Sequence, residues 1–379
     1  MTLGARCIAV MLIALFAVSS SPGLAGAQPA TPPRGLLEAS SEARLQFPTG
    51  IEITSTIEWD VAAAETWLEL VYRVGESETL YLAASPMTTL PGSGQSKIIA
   101  WLDLQAQYIP PGVAITWKWV LRSDHGILAT TIPETTSWHD DRQDWRHMPG
   151  NQVALHYTGL DAAFADNVMA TVQETVDEIE QRFDIALVEP VELWVYSSAE
   201  PFREAVIPNS REAMVAATYP DFSVILAVVP DGNAEELARI IPHEVAHMVL
   251  FQATDNPFTY VPLWFNEGMA THVQTGGTGG YLDMVIDALE RDRLYSLTSI
   301  DVSFPFTTFE ATLPYAASWS AVGYIEETWG DPGIARLIDA YALGVSWEQA
   351  LHAALGVSYE ELDRGWRDWI AAQALEEAA

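Results

Sequence analysis

A chain of 379 residues, 49% of them hydrophobic, is too long for a single core and too apolar to be disordered, so it should divide into two folded domains. With 51 acidic against 18 basic residues and a formal net charge of −33, it is a poor partner for nucleic acid or anionic lipid, and the balance fits solubility outside the cell. One cysteine, Cys7, gives no material for a disulfide framework.

Taken from the start, Arg6 precedes an apolar run from Cys7 to Val18, and Ala25-Gly26-Ala27 offers an A-x-A processing site. Residues 1–27 therefore read as a cleaved signal peptide, and the chain as a secreted one. That run is too short for a membrane span and no other stretch reaches 18 apolar residues, so no integral membrane segment is expected in the mature chain. Residues 28–36 form a proline-rich linker. Strand signals follow: Ile51, Ile53, Ile57 and Trp59 share one parity, as do Leu68, Leu70, Tyr72 and Val74, and Val113, Ile115, Trp117, Trp119 and Leu121. Such alternation, broken by Gly and Pro clusters, predicts an antiparallel β-sandwich of immunoglobulin or fibronectin type over residues 37–146. Trp138 and Trp145 close that segment, where they either pack in the sandwich or tie the two domains together. His139 and His147, which flank an acidic pair, read as solvated loop histidines rather than a second metal site.

A second domain, residues 150–379, shows a mixed pattern, which makes the whole chain α+β. Gln152–Tyr157 and Val191–Tyr196 read as strands, Asp161–Phe183 as a long amphipathic helix, and Met214–Val229 as one or two further strands. After Pro257 the chain reads as helical throughout, apart from the glycine run Gly276–Gly280.

Between these parts, the stretch Asn233–Gln274 carries His243, Glu244, His247 and Glu267. Asn233 is a plausible N-cap, with Glu236 three residues on and Glu235 favoured by the helix dipole. At 3.6 residues per turn His243 and His247 stand one above the other and can share one zinc, while Glu244 lies roughly 100° round the helix, beside the metal rather than on it. A random H-E-x-x-H would occur in on the order of one such chain in a hundred, so the five residues alone do not decide the matter. Glu267 strengthens them: two imidazoles and a carboxylate from a second helix make a three-ligand zinc site with one position open, the arrangement of catalytic zinc. Pro242 is expected to kink the first helix or to start it afresh.

At these residues the chain resembles the gluzincin metallopeptidases. His243, Glu244 and His247 match that group's helix motif, and Trp264, Asn266, Glu267, Gly268 and Ala270 look like its W-x-N-E-G-x-A segment, with an interval from His247 one residue longer than in the zinc aminopeptidases. The nearest form is the secreted peptidase-MA-like domain of bacteria, from about residue 150 onward. The resemblance implies one Zn2+ per chain on His243, His247 and Glu267, Glu244 as general base, and a Tyr or His further on as donor to the oxyanion. Tyr315 sits where similar domains carry a tyrosine, with Tyr281, Tyr295, Tyr324, Tyr341 and His352 as competitors; His272 reads as non-ligating. The expected function is a zinc metallopeptidase acting on peptide or protein. Endopeptidase is favoured, since the G-x-M-E-N segment that anchors a free α-amine in the aminopeptidases is absent. A catalytically inactive binding protein of the cell exterior and a zinc hydrolase of non-peptide bonds are the alternatives; the intact set of four polar residues speaks against the first.

Overall fold

Alternating apolar residues in the N-terminal part form strands, and the strands build two antiparallel sheets. The computed structural model describes residues 36–60, 66–83, 88–90, 94–105, 108–206, 214–304 and 312–377. The signal-peptide reading over residues 1–27 lies outside them. Two compact units divide between Arg142 and Gln143.

In the first unit, β1 (Leu36–Gln46), β2 (Gly50–Asp60), β3 (Thr66–Val74), β4 (Tyr81–Leu82), β5 (Thr88–Leu90), β6 (Gly94–Asp103), β7 (Ala114–Ser123), β8 (Gly126–Thr130) and β9 (Glu134–Ser137) follow in order. One sheet runs β1-β2-β6 and the other β4-β3-β7-β8, with β5 on β3 and β9 on β7. Ile51, Ile53 and Ile57 from the first sheet, and Leu70, Ile115, Trp119 and Leu121 from the second, are fully buried. Ser55 interrupts the apolar series of β2 and is equally buried; its hydroxyl accepts the Trp119 indole N–H at 2.8 Å, so a polar pair bridges the two sheets. Trp138 belongs to this core, donating to the Ile109 carbonyl at 3.1 Å, whereas Trp145 falls within the second unit and packs edge-on to Trp194 and Tyr196 there.

The second unit opens with β10 (Arg146–Met148), β11 (Val153–Thr158), α1 (Ala162–Phe183), β12 (Val191–Tyr196), α2 (Ala199–Ala205), β13 (Ala216–Tyr219) and β14 (Val224–Val228). Their sheet has the order β10-β11-β12-β14-β13: β11, β12 and β14 are parallel, and an antiparallel strand flanks each side. All of β14 is buried, as expected of a strand covered on both faces. Asp161 caps α1 by accepting from the Ala163 N–H at 2.9 Å, and Val168, Val172, Val176, Ile179 and Phe183 keep the 3–4 spacing of a buried stripe.

Helices make up the rest: α3 (Ala234–Thr254), α4 (Leu263–Val273), α5 (Tyr281–Glu290), α6 (Thr312–Trp329), α7 (Asp331–Ala342), α8 (Trp347–Leu355) and α9 (Tyr359–Glu377). Two sequence expectations are corrected here. Of the two outcomes expected at Pro242, a kink or a fresh start, the fresh start is excluded, for α3 is continuous from Ala234 to Thr254. Residues 291–304 are not α-helical; they hold a single 3-10 turn at Leu297–Ile300. Side chains of α9 take up the backbone of that segment instead: Asp363 accepts the Leu297 N–H at 2.8 Å, and Arg367 donates to the carbonyls of Leu294 and Tyr295 at 3.2 and 2.8 Å. Among the described residues no helix is long and apolar enough to cross a membrane.

Candidate metal centre

The helix that carries the two histidines begins at Asn233, whose side chain accepts the Glu236 N–H at 3.1 Å; the Glu236 carboxylate turns to Arg239 rather than back to the cap. Leu237, Ile241, Val245 and Met248 bury the opposite side of α3, which leaves His243 and His247 half-buried on one face. Opposite them α4 is anchored by the fully buried Trp264, whose indole N–H donates to the Tyr359 hydroxyl. One turn beyond Trp264, Glu267 points at the histidine pair.

The two Nε2 atoms lie 3.2 Å apart, and Glu267 Oε2 lies 3.4 Å from that of His243 and 3.6 Å from that of His247. Tetrahedral zinc with bonds of about 2.0–2.1 Å sets its ligand atoms about 3.3–3.4 Å apart, so the three atoms already have the spacing of a zinc face. Glu267 Oε2 is buried and accepts no hydrogen bond, as suits an atom aimed at a cation. Among the described residues this is the one group of three or more His, Cys, Asp or Glu whose ligand atoms come together.

Each imidazole is turned by a partner on its other nitrogen. His247 Nδ1 is 3.0 Å from Asn266 Oδ1, and His243 Nδ1 is 3.2 Å from Gln274 Oε1. Both Nδ1–H groups therefore donate, and both Nε2 lone pairs converge on the same point. With no cation between them, the Glu267 carboxylate instead draws onto His247 a proton that zinc would have to displace. Burial opposes protonation of His247, but the Glu267 carboxylate outweighs it and lifts the imidazolium pKa to about 9. Burial likewise pushes Glu267 upward, and its attraction to His247 and His243 brings it well below the usual carboxylate range.

Glu244 is buried beside this group without joining it. Its Oε2 accepts the Thr218 hydroxyl at 2.6 Å, and the same hydroxyl lies 3.2 Å from the Glu244 carbonyl. Thr218 is on β13, so the edge strand of the sheet and the histidine helix meet at this carboxylate. Sequence reasoning had no role for Thr218, whose 26-residue separation from Glu244 carries no local signal. It also gave none to Gln274, although seven residues, two helical turns, after Glu267 is a spacing that puts both on one face.

Of the candidate oxyanion donors, Tyr315 lies half-buried near the start of α6, its ring edge-on to Phe304 at 5.1 Å. Several competitors are engaged in packing: Tyr341 is buried against Phe265, and Tyr324 meets Trp329 and Trp369. His352 is exposed on α8. His272 pairs with Glu326 at 2.6 Å, and Glu326 also binds Arg182, which reaches Asp331 as well; its place is a structural ion network joining α1, α4, α6 and α7. His139, in the first unit, bonds to the Ser137 carbonyl, and His147, in the second, stands beside His156.

Gly268, next to Glu267, lets α4 pack closely against α6. A Cβ there would stand 2.5 Å from the Ser318 carbonyl oxygen and 2.6 Å from Val322 Cγ2, so α6 lies directly against the glycine. Gly268→Ala is expected to lose about 1–3 kcal/mol through overpacking against backbone that cannot yield. Set against a gain of about 1 kcal/mol in helix propensity, the net expectation is a loss of up to about 2 kcal/mol. Denaturant melts read the difference, and a stabilised variant would contradict the close approach.

Residues 171–372, just over half of the chain, match the family model described as the Peptidase MA superfamily. No curated protein matches. Among solved structures, an M1 zinc metallopeptidase from Deinococcus radiodurans is 13% identical, with 85% of this chain and 90% of that chain covered at a TM-score of 0.39. An aminopeptidase N family protein from Idiomarina loihiensis is 11% identical, covering 82% and 72% at a TM-score of 0.38. Scores this low leave the assignment to the sequence match, which contains the helix with His243, Glu244 and His247, the helix with Glu267, and Tyr315. The chain belongs to the Peptidase MA superfamily, and with it to the zinc-dependent peptidases.

Proposed function

We propose that this protein is a secreted zinc endopeptidase with His243, His247 and Glu267 as metal ligands and Glu244 as general base. The observation that carries the reading is the set of three converging ligand atoms, 3.2 to 3.6 Å apart, with a separately held carboxylate beside them. Zinc bound there supplies Lewis acidity that polarises a scissile carbonyl and brings a water's pKa toward neutrality. Glu244 takes the proton of the attacking water and passes it to the leaving amine. Thr218 holds that carboxylate in place, so the base is oriented before substrate arrives.

Tyr315 donates to the oxyanion in this reading. What supports it is helix geometry: Ser318 and Val322 meet Gly268, and Tyr315, one turn before Ser318, shares their face of α6. Substrate would lie extended along β13, which among the described residues has β14 as its one sheet neighbour and touches the active helix through Thr218. Residues 1–27 are the basis for secretion.

What favours an endopeptidase over an aminopeptidase is the sequence, which has no G-x-M-E-N segment to anchor a free α-ammonium. Peptides with acetylated N-termini decide between the two. Internal cleavage of blocked peptides, seen by mass spectrometry, is the expected result; cleavage confined to unblocked peptides, one residue at a time, would make the enzyme an aminopeptidase.

A further inference from the structure

Pro242 immediately precedes His243 in the interior of α3, and a proline there removes the N–H that would bond the carbonyl of Ala238, four residues earlier. That carbonyl has another partner. Thr275 donates its backbone N–H to it at 3.2 Å, with its hydroxyl at 3.4 Å. Thr275 lies just past α4 and next to Gln274, the residue whose Oε1 accepts from His243. The Gln274 amide is held from its other end too, since Nε2 donates to the Gly276 carbonyl at 2.6 Å. Gly277 continues the turn with φ +83, and a Cβ on it would stand 2.7 Å from Arg239 Cδ, so the loop folds tightly back onto α3.

We infer that Pro242 is a positioning residue for His243. By withholding its own N–H it leaves the Ala238 carbonyl free to dock Thr275, and the docked loop holds Gln274 as the acceptor that fixes the tautomer and ring of His243. The inference rests on the proposed zinc site and adds a cause for its geometry. In a helix with an N–H at position 242, the Ala238 carbonyl would point along the axis to that donor, and Thr275 would have to compete for it from the side. A proline that locally weakens α3 thus links the two ligand helices at the height of the first histidine.

The test uses full-length protein and two readouts, zinc affinity by chelator competition and hydrogen exchange at the Thr275 amide. In Pro242→Ala the restored N–H takes the Ala238 carbonyl, so the Thr275 amide should exchange at least about tenfold faster and zinc should bind about tenfold more weakly, the lower end for loss of an outer partner of a ligand. Gln274→Leu should weaken zinc by about 10–100-fold, with Gln274→Glu restoring most of it because an acceptor returns. Thr275→Ala keeps the amide and should bind zinc like wild type. A Thr275 amide still protected in Pro242→Ala, or one exposed with zinc affinity unchanged, overturns the inference. If Pro242→Ala does not fold, Thr275→Pro removes the same bond from the donor's side, and normal zinc affinity there overturns it equally. A wild-type protein that binds no zinc would overturn the metal reading itself and the inference with it; zinc-binding wild type with an unaffected Pro242→Ala removes the inference alone.

Discussion

Glu244→Gln is expected to retain zinc at the wild-type level and to lose peptide hydrolysis by 10²-fold or more, the range for removal of general acid–base help. The separation of the two effects follows from the geometry. Glu244 stands outside the group of ligand atoms, so its charge is not needed to hold the metal. A glutamine can still accept the Thr218 hydroxyl, now 2.6 Å from Glu244 Oε2, so the shape of the site survives. What disappears is the ability to take a proton from water. Metal analysis and turnover of a cleaved peptide, measured on the same preparation, check both halves. Loss of zinc in the variant would mean that Glu244 is a ligand, and undiminished turnover would mean that the base lies elsewhere. Tyr315→Phe should act differently, lowering kcat with little change in KM, because a phenol that meets only the oxyanion contributes in the transition state. A normal Tyr315→Phe enzyme would leave the zinc site standing and move the oxyanion donor to another residue.

The parts of this site that follow from periodicity were legible in the sequence. His243 and His247 share a face because four residues make about one helical turn, and β2, β3 and β7 followed from strict alternation. The parts that depend on chain segments far apart were not. Thr218 reaches Glu244 because β13 lies at the sheet edge beside α3, an adjacency fixed by the strand order β12-β14-β13 rather than by any local pattern. Pro242 reads as a kink or a fresh start under a local rule, and the partner that accommodates it, Thr275, arrives from beyond the second ligand helix. The misread helix over residues 291–304 has the same origin: Asp363 and Arg367, some 70 residues later, take its backbone groups. Local propensity is a weak prior wherever tertiary partners supply the hydrogen bonds.

Glu267→Gln should produce the largest loss of metal, because it removes the anionic ligand and the carboxylate that faces both histidines most directly. Zinc affinity should fall by well over the 10–100-fold typical of an outer partner, since this residue is itself a ligand. A second consequence appears with zinc removed by chelator. His247 is raised from 6.5 to about 9 after Glu267 overcomes the cost of burial, so its contribution to stability is fully present below pH 6.5 and is lost as pH rises through about 9. Glu267 is lowered from 4.5, so its contribution is fully present above pH 4.5 and is lost as pH falls through its folded value. The advantage of zinc-free wild type over zinc-free Glu267→Gln should therefore be greatest between about pH 4.5 and 6.5 and decline toward pH 9. In the variant, His247 keeps the burial that disfavours its charge and loses the carboxylate that compensated for it, so acidification below pH 6.5 should destabilise it. Paired thermal melts at pH 6, 7.5 and 9 in chelator read the difference directly, and curves that stay parallel across that range would show that Glu267 and His247 do not form a charged pair when zinc is gone.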